Sequence, residues 1–599
     1  MLEKYQYYIV GAILAVMFLV SVFVSRGDAA IMDEVAHIPA GYSYVHFQDY
    51  RLNPEHPPLL KDLAGIPLQF LGQYFPTDED FWTTDANGQW NAGWRFMYWP
   101  TNNTEAIVFW SRLPIILIAL VLGFAIFQWA KELFGVKAGL LALALYAFDP
   151  NILGHGHYVT TDLGIAAFCL FAFYFFIRYL KIPGWKNIVL AGIFLGLAAL
   201  AKFSSVLLFP AFGLALFFYA LARKEKLPFS FLGSGKFKKF WAQKLWFYIA
   251  TFVVILAIHG ILIGLVYEFN TFRMPTEKIH QLIDTQLGGN TKQLVSPYLH
   301  SMANNAILKP YVQYLIGFFM VFGRVAGGNT TYFFGQVTNQ SFRSYFPMVF
   351  LIKETLPFLI LLFLSTAVGI TMILKNNLPK FPKKIWPNIK NYLDKHIAEF
   401  SMISFVAVYA YVSITGNLNI GFRHLFPILP FLYILVAKEV TIFGRRIEGK
   451  KTGVKVYWSA IMLLLVWLAA ETAFTYPNYL AYFNETVGGP KNGYKYVTDS
   501  NCDWGQDLKR LTAWVNDNNI NQIRIDYFGG GDVIHYLGDK ATIWHADMGQ
   551  EPGWYAISAT FLENSLYYKI TEGTPDYEWL RERTPTAQIG GSILIYHVE

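Results

Sequence analysis

The chain has 599 residues, of which 54% are hydrophobic, 18% aromatic and only 15% charged, a balance that excludes an ordinary soluble protein and points to the membrane. The formal net charge of +7 does not signal nucleic acid, because Lys and Arg fall in short blocks between apolar runs, as loop charges of a multi-span protein do. The two cysteines, Cys169 in an apolar run and Cys502 in a polar one, supply neither a disulfide framework nor a cysteine metal site.

In chain order, runs of about 15 to 23 apolar residues match a hydrocarbon core about 30 Å thick. They fall near 8–25, 108–129, 138–150, 163–180, 188–201, 203–221, 245–267, 349–374, 400–414, 424–438 and 456–474. That is roughly eleven spans. The first is longer than a signal-peptide core and lacks a small-residue cleavage site, so it reads as a retained anchor. Three basic loops share one side: Arg223 to Lys244, Lys375 to Lys395 and Lys438 to Lys455. Cations in short loops stay cytoplasmic. This predicts a plasma-membrane protein with a cytoplasmic N-terminus, outer loops at 26–107 and 268–348, and an extracytoplasmic tail. Tyr311 to Phe322 is apolar but short for a span, and inserting it would reverse the downstream loops; it reads as an interfacial or re-entrant helix. After 474 the spans end. A helix is expected over Trp504 to Asn516 and strands over Gln522 to Phe528, Trp554 to Ala559 and Ser592 to Val598. The expected organisation is an α-helical polytopic membrane domain, 1–474, followed by a small α/β domain, 475–599.

The chemistry starts in MDEVAHIPAGY, where Asp33 and Glu34 follow directly on the first span. A sugar donor outside the membrane is expected to ride on a polyprenyl phosphate, because nucleotides are scarce there. Transfer from it needs a carboxylate to take the acceptor proton and fixed cations to hold the departing phosphate. A phosphate leaving group needs no general acid, so one base suffices, and direct displacement inverts the anomeric centre. Asp33 or Glu34 is the candidate base, with helix capping as the plainer role. Arg112, Lys202 and Arg423 reach the same face from three other spans and are the candidate phosphate clamps, with snorkelling as the alternative. Asp162 in VTTDLG reads as a second acid or a helix cap. EHPPLLK adds Glu55, His56 and Lys61 as donor- or acceptor-site candidates. No cofactor is required. A divalent metal stays open, because Glu34 and His37 have Glu-x-x-His spacing and His155 and His157 alternate, but a dinuclear site would need a second such pair beside the first. In the tail, Asp503 with Gln506 has capping-box spacing, and YFGGGDVIHYLG lacks the lysine of a phosphate loop.

Asp33 and Glu34 after the first span, His56-Pro57-Pro58 with Lys61, Arg112 in SRLP, Asp162 in VTTDLG and Arg423 in GFRHLFPILP resemble the protein O-mannosyltransferases and their bacterial lipid-carrier-dependent relatives, within the GT-C superfamily. The resemblance covers about residues 1–475 and implies a GT-C fold, Asp33 as catalytic carboxylate with Glu34 beside it, and Arg112 near the donor phosphate. The expected partners are a lipid-linked sugar donor, membrane lipids and an acceptor hydroxyl on a glycan, lipid or protein; nucleic acid is not among them. The alternatives are a flippase of lipid-linked sugars, which should carry midplane charges and a two-half repeat, and a noncatalytic scaffold, which would leave the acid and cation cluster without a purpose.

Overall fold

The computed structural model describes residues 2–224, 240–377, 385–581 and 583–599. Eight helices among them are long and apolar enough to cross a membrane: Leu2–Gly27, Thr104–Phe134, Asp162–Lys181, Phe203–Ala222, Ala242–Thr271, Ile397–Thr415, Phe422–Arg446 and Thr452–Thr475. A ninth span comes from Tyr345–Lys353 and Leu356–Met372 if that pair, bent by 117°, is one crossing. The remaining two expected spans are shorter helices, Val136–Ala147 and Trp185–Ala201. At 1.5 Å per residue, a 12-residue helix is about 18 Å long and falls short of the hydrocarbon core by itself. The chain is therefore a polytopic helical membrane protein whose helices fall on the expected apolar runs, with the 12-residue helix too short to span alone.

Tyr311 to Phe322 lies in helix Lys309–Gly327, which is not among the eight candidate spans. It lies against Ala242–Thr271, where the Tyr311 hydroxyl donates to Gly260 O at 3.2 Å. Of the basic loops, Lys226, Lys236, Lys238, Lys239, Lys380, Lys383 and Lys384 lie outside the described residues. Arg223 closes the C-terminal end of Asp162–Lys181 by donating to Leu180 O at 2.7 Å and Lys181 O at 3.1 Å, where the helix dipole favours a cation.

Helix Met32–Phe47 follows the first span and carries Asp33. Its third residue, Glu34, accepts the Ile31 N–H at 3.0 Å and so caps the helix's own first turn. The helix is set tightly against Leu59–Gly65, because a Cβ on Gly41 would fall 2.0 Å from Lys61 O and one on Gly65 2.2 Å from Gly41 O. Only glycine lets the two backbones meet there.

The tail forms a five-stranded sheet, after a hairpin of β1 (Thr331–Phe333) and β2 (Gln336–Thr338) in the preceding region. Its strands are β3 (Ile523–Asp526), β4 (Ala541–Ile543), β5 (Gly553–Ser558), β6 (Ala587–Ile589) and β7 (Ile593–Val598), ordered β4-β3-β5-β7-β6. β3 runs parallel to β4 and β5, and β7 pairs antiparallel with β5 and β6. Leu508, Leu511, Val515, Ile523, Ile525 and Ile595 form the core between the sheet and helix Leu508–Asp517. That helix starts four residues later than its sequence pattern suggested. Gly505 sits at φ +99° against Gly529, and the Gln506 side chain folds back to accept the Trp504 N–H at 3.0 Å, so the chain cannot yet coil. Asp503 also corrects its capping-box reading: it accepts Thr560 N–H at 2.8 Å and so holds the first turn of a different helix, Ala559–Glu572.

The tail and the membrane part are joined at the Asp33 corner. Ala29 N–H donates to Gln506 O at 2.9 Å, Met32 N–H to Trp504 O at 3.0 Å, and Gly530 N–H to Ala30 O at 3.1 Å. A Cβ on Gly530 would lie 2.3 Å from Ile31 O, which explains the glycine run that has no phosphate-loop geometry.

Candidate functional site

Beside this corner lies a cavity of ≈330 Å³, and its charged side chains come from six places in the chain. Helix Met32–Phe47 supplies Asp33 and His37, and the loop after it supplies Glu55 and His56. Asp162 stands at the first position of Asp162–Lys181, and Lys202 at the break between Trp185–Ala201 and Phe203–Ala222. Arg324 comes from the end of Lys309–Gly327, and Arg423 with His424 from the turn that opens the Phe422–Arg446 span. The rest of the lining is mostly apolar, including Phe203, Leu207, Phe322 and Val412, with Asn53, Gln89, Thr161 and Ser204 between. One part of the wall thus suits charge and the larger part suits hydrocarbon.

The charged half is a chain of ion pairs. Arg423 Nη1 donates to Asp33 Oδ2 at 2.7 Å and lies 3.6 Å from Asp162 Oδ2. Lys202 Nζ donates to Asp162 Oδ1 at 2.5 Å, and Arg324 Nη1 to Glu55 Oε1 at 2.6 Å. Three acids and three cations therefore face one space. Arg423 also keeps a spare donor, since its buried Nε has no hydrogen-bond partner. The tail holds it in place: the guanidinium lies 3.9 Å over the Trp504 ring, Phe422 N–H donates to Asn501 Oδ1 at 3.0 Å, and Ser500 Oγ donates to Ile420 O at 2.6 Å. Asp33 retains 26% side-chain exposure, the most of these pairs except Arg324. Burial pushes its carboxyl up, but Arg423, with His37, more than reverses this, so the acid lies below its usual range. Burial holds the His37 and His56 imidazoles below their usual value, and the neighbouring cations add to this for His56.

Asp33, Glu55, His56, Asp162, Lys202 and Arg423, six of the residues singled out in the sequence, meet at this cavity. Glu34, Arg112 and Lys61 do not line it. Arg112 is fully buried and donates from Nε and Nη2 to the two Glu34 oxygens at 2.8 and 2.6 Å. Its other N–H groups reach Ser25 O at 2.7 Å, Asp28 O at 3.1 Å and Ala29 O at 2.8 Å. A guanidinium has five N–H donors, and all are in use. Glu34 is equally occupied, accepting also from Ile31 N–H and from Val159 N–H at 3.0 Å. Arg112 and Glu34 thus stand off the cavity, locked in one buried bidentate pair that ties the end of the first span to the Asp33 helix. Lys61 is also buried, donating to Asn53 O at 2.8 Å, Asn53 Oδ1 at 2.9 Å and His56 O at 2.7 Å. It braces the loop that presents Glu55 and His56.

Arg324, His424, Trp90 and the supporting Trp504 were not singled out from the sequence. Arg324 is a cation at the end of a segment recognised only as interfacial, and its distance from Asp33 in the chain gave no signal that the two share a wall. Among the described residues no group of three or more His, Cys, Asp or Glu is arranged to hold a metal ion. His37 Nδ1 is instead engaged with Val159 O at 2.7 Å, and His157 Nε2 with Asp28 Oδ2 at 3.0 Å.

Residues 106–259 match the family model described as dolichyl-phosphate-mannose-protein mannosyltransferase. No curated protein shows significant sequence similarity to the chain. Among solved structures, the protein O-mannosyltransferase Pmt1-Pmt2 complex of Saccharomyces cerevisiae bound to its sugar donor aligns with a TM-score of 0.54 at 10% identity, over 79% of this chain and 89% of that one. The oligosaccharyltransferase AglB of Archaeoglobus fulgidus, in complex with an inhibitory peptide and a dolichol-phosphate, gives 0.45 at 12% identity over 94% and 71%. ArnT of Cupriavidus metallidurans bound to undecaprenyl phosphate gives 0.42 at 12% over 98% and 97%. The chain is a polytopic membrane protein with the fold of the GT-C glycosyltransferases.

Proposed function

We propose that the chain transfers a sugar from a polyprenyl-phosphate carrier to an acceptor hydroxyl on the extracytoplasmic side, by direct displacement with inversion. The observation that carries this reading is the Asp33–Arg423 pair on the wall of a cavity that joins a charged patch to a larger apolar one. The apolar part suits the first isoprene units, and Arg423, Lys202 and Arg324 suit the phosphate. The match of 106–259 to the mannosyltransferase family model, and the sugar donor bound by the yeast neighbour, support the donor class.

In the proposed step Asp33 takes the proton of the acceptor hydroxyl while that oxygen attacks the anomeric carbon. The bond from that carbon to the carrier phosphate breaks, and the phosphate leaves with one more negative charge, held by the cations. A carboxylate held low by a guanidinium is a weak base. Engagement of Arg423 by the donor phosphate would loosen its hold on Asp33 and make the carboxylate more basic once donor is bound. No metal or other cofactor is needed in this scheme. Glu34, Arg112 and Lys61 act as positioning residues. We assign residues 1–474 as the transmembrane catalytic part, the basic loops to the cytoplasm and the 475–599 tail to the outside of the plasma membrane, supported by the cation distribution in the loops.

The test is purified protein in lipid, incubated with a panel of radiolabelled polyprenyl-phosphate sugars while carrier release to water or to added acceptor is followed. Release of carrier from at least one donor is expected, and its loss in Asp33→Asn. A protein that moves none of these donors, or that turns over equally without the Asp33 carboxylate, does not carry out this reaction.

A further inference from the structure

The tail has a cavity of its own, ≈270 Å³, at the carboxyl ends of its three parallel strands. Asp526 is the last residue of β3, His545 and Asp547 follow β4, and Phe561, Asn564 and Ser565 lie on helix Ala559–Glu572, which follows β5. Loops leaving adjacent parallel strands diverge beyond their carboxyl ends, and the crevice between them is the general place for a ligand in such sheets. The volume is near the lower limit for small-molecule pockets of about 300 Å³, so it fits one ring and not an extended chain.

Its lining is rich in acceptor oxygens. Buried Asp526 accepts the Tyr577 hydroxyl on Oδ2 at 2.7 Å, and its Oδ1 lies 3.4 Å from His545 Nδ1. Asn564 Oδ1 is buried and has no hydrogen-bond partner, so the pocket contains an acceptor that the protein itself does not satisfy. The Asp547 carboxylate stands exposed at the rim. The same lining includes the Phe561 ring, held edge-to-face on Phe528 with centroids 5.6 Å apart. Carboxylate and amide oxygens accept from hydroxyl donors, and an aromatic face covers an apolar C–H surface. A sugar ring is the small molecule that offers both, hydroxyls on its edge and C–H groups on its face.

The pocket is also tied to the Asp33 corner. From Asp526 the chain runs through Phe528 to Gly530, whose N–H donates to Ala30 O at 3.1 Å, two residues before the helix that carries Asp33. We propose that this tail pocket binds one sugar residue of the acceptor, so that the acceptor is a glycan or glycolipid held at two places, with its reacting hydroxyl in the membrane cavity. This rests on the transferase reading above and names its acceptor class.

The experiment uses the full chain in lipid nanodiscs and a panel of methyl glycosides as probes, read by saturation transfer from protein to the ring protons. At least one glycoside is expected to receive saturation, about tenfold less affinity is expected in Asp547→Ala combined with Asn564→Ala, and Asp33→Asn should leave binding in place. Asp547 is exposed, so Asp547→Ala alone gives a variant that does not threaten the fold. Absence of binding by every glycoside, binding that the tail substitutions leave unchanged, or binding lost in Asp33→Asn instead, overturns the pocket. Carrier release measured on the same samples separates the two readings: glycoside binding through the tail by a protein that releases no carrier sinks the transferase and leaves the pocket standing.

Discussion

Asp33 and Glu34 are neighbours in the chain, sit in the same helical turn and each faces an arginine, yet their surroundings differ in kind. Glu34 meets Arg112 where neither side chain has any exposure, and every donor and acceptor of the pair is matched inside the protein. Asp33 meets Arg423 on a cavity wall, with 26% of its side chain exposed and with the guanidinium Nε–H unpaired. A saturated ion pair can hold a fold together, but it has nothing to offer a substrate. An unsaturated one can exchange its protein partner for a phosphate or an acceptor proton. The spare capacity of the second pair, not the presence of an acid beside a base, marks it as the place for chemistry.

The sharpest way to break this comparison is to remove basicity at each acid with little change of shape. Asp33→Asn should fold and insert while transfer at saturating donor falls by about 10²- to 10⁴-fold, the usual contribution of a positioned general base. If Glu34→Gln instead abolishes transfer in protein that remains folded and Asp33→Asn does not, the two roles are reversed. The next largest effect is on stability. Arg112→Met leaves Glu34 as an uncompensated buried charge and should cost about 3 to 5 kcal/mol, read by thermal unfolding in detergent. Arg112→Met with Glu34→Gln should recover part of that loss, because the second change removes the stranded charge.

A smaller effect is expected at Arg423, where the planar guanidinium both forks and stacks on Trp504. Arg423→Lys keeps the charge but loses both, so the donor KM should rise about tenfold. An unchanged donor KM would remove Arg423 from the phosphate site. The smallest change is in pH dependence. Burial raises the Asp33 carboxyl and Arg423 is the strongest influence lowering it, so Arg423→Gln should let its pKa rise. Less of the carboxylate is then ionised at a given acid pH, and the acid limb of the transfer rate should move to higher pH than in the wild type. A limb that stays in place or moves lower would show that Asp33 does not titrate in the rate-limiting step.

The sequence by itself determined where the apolar runs lie, that the chain is polytopic, that a small α/β unit follows them, and which acids and cations gather toward one face. Composition and hydropathy are local quantities, and a helix buries its backbone in lipid whatever its neighbours are. Six of the residues singled out meet at the cavity for the same reason: each stands at a helix end or in the loop beside one, so the span pattern already puts them near one face. Tertiary structure decided which of these residues were free to act. Arg112 and Arg423 are the same residue type, both in the N-terminal parts of helices, and nothing in either local pattern says that one has its donors filled by Ser25, Asp28, Ala29 and Glu34 while the other leaves its Nε–H unpaired. Hydrogen-bond saturation depends on partners brought from anywhere in the chain, as does the Trp504 ring under Arg423, which arrives from about eighty positions downstream.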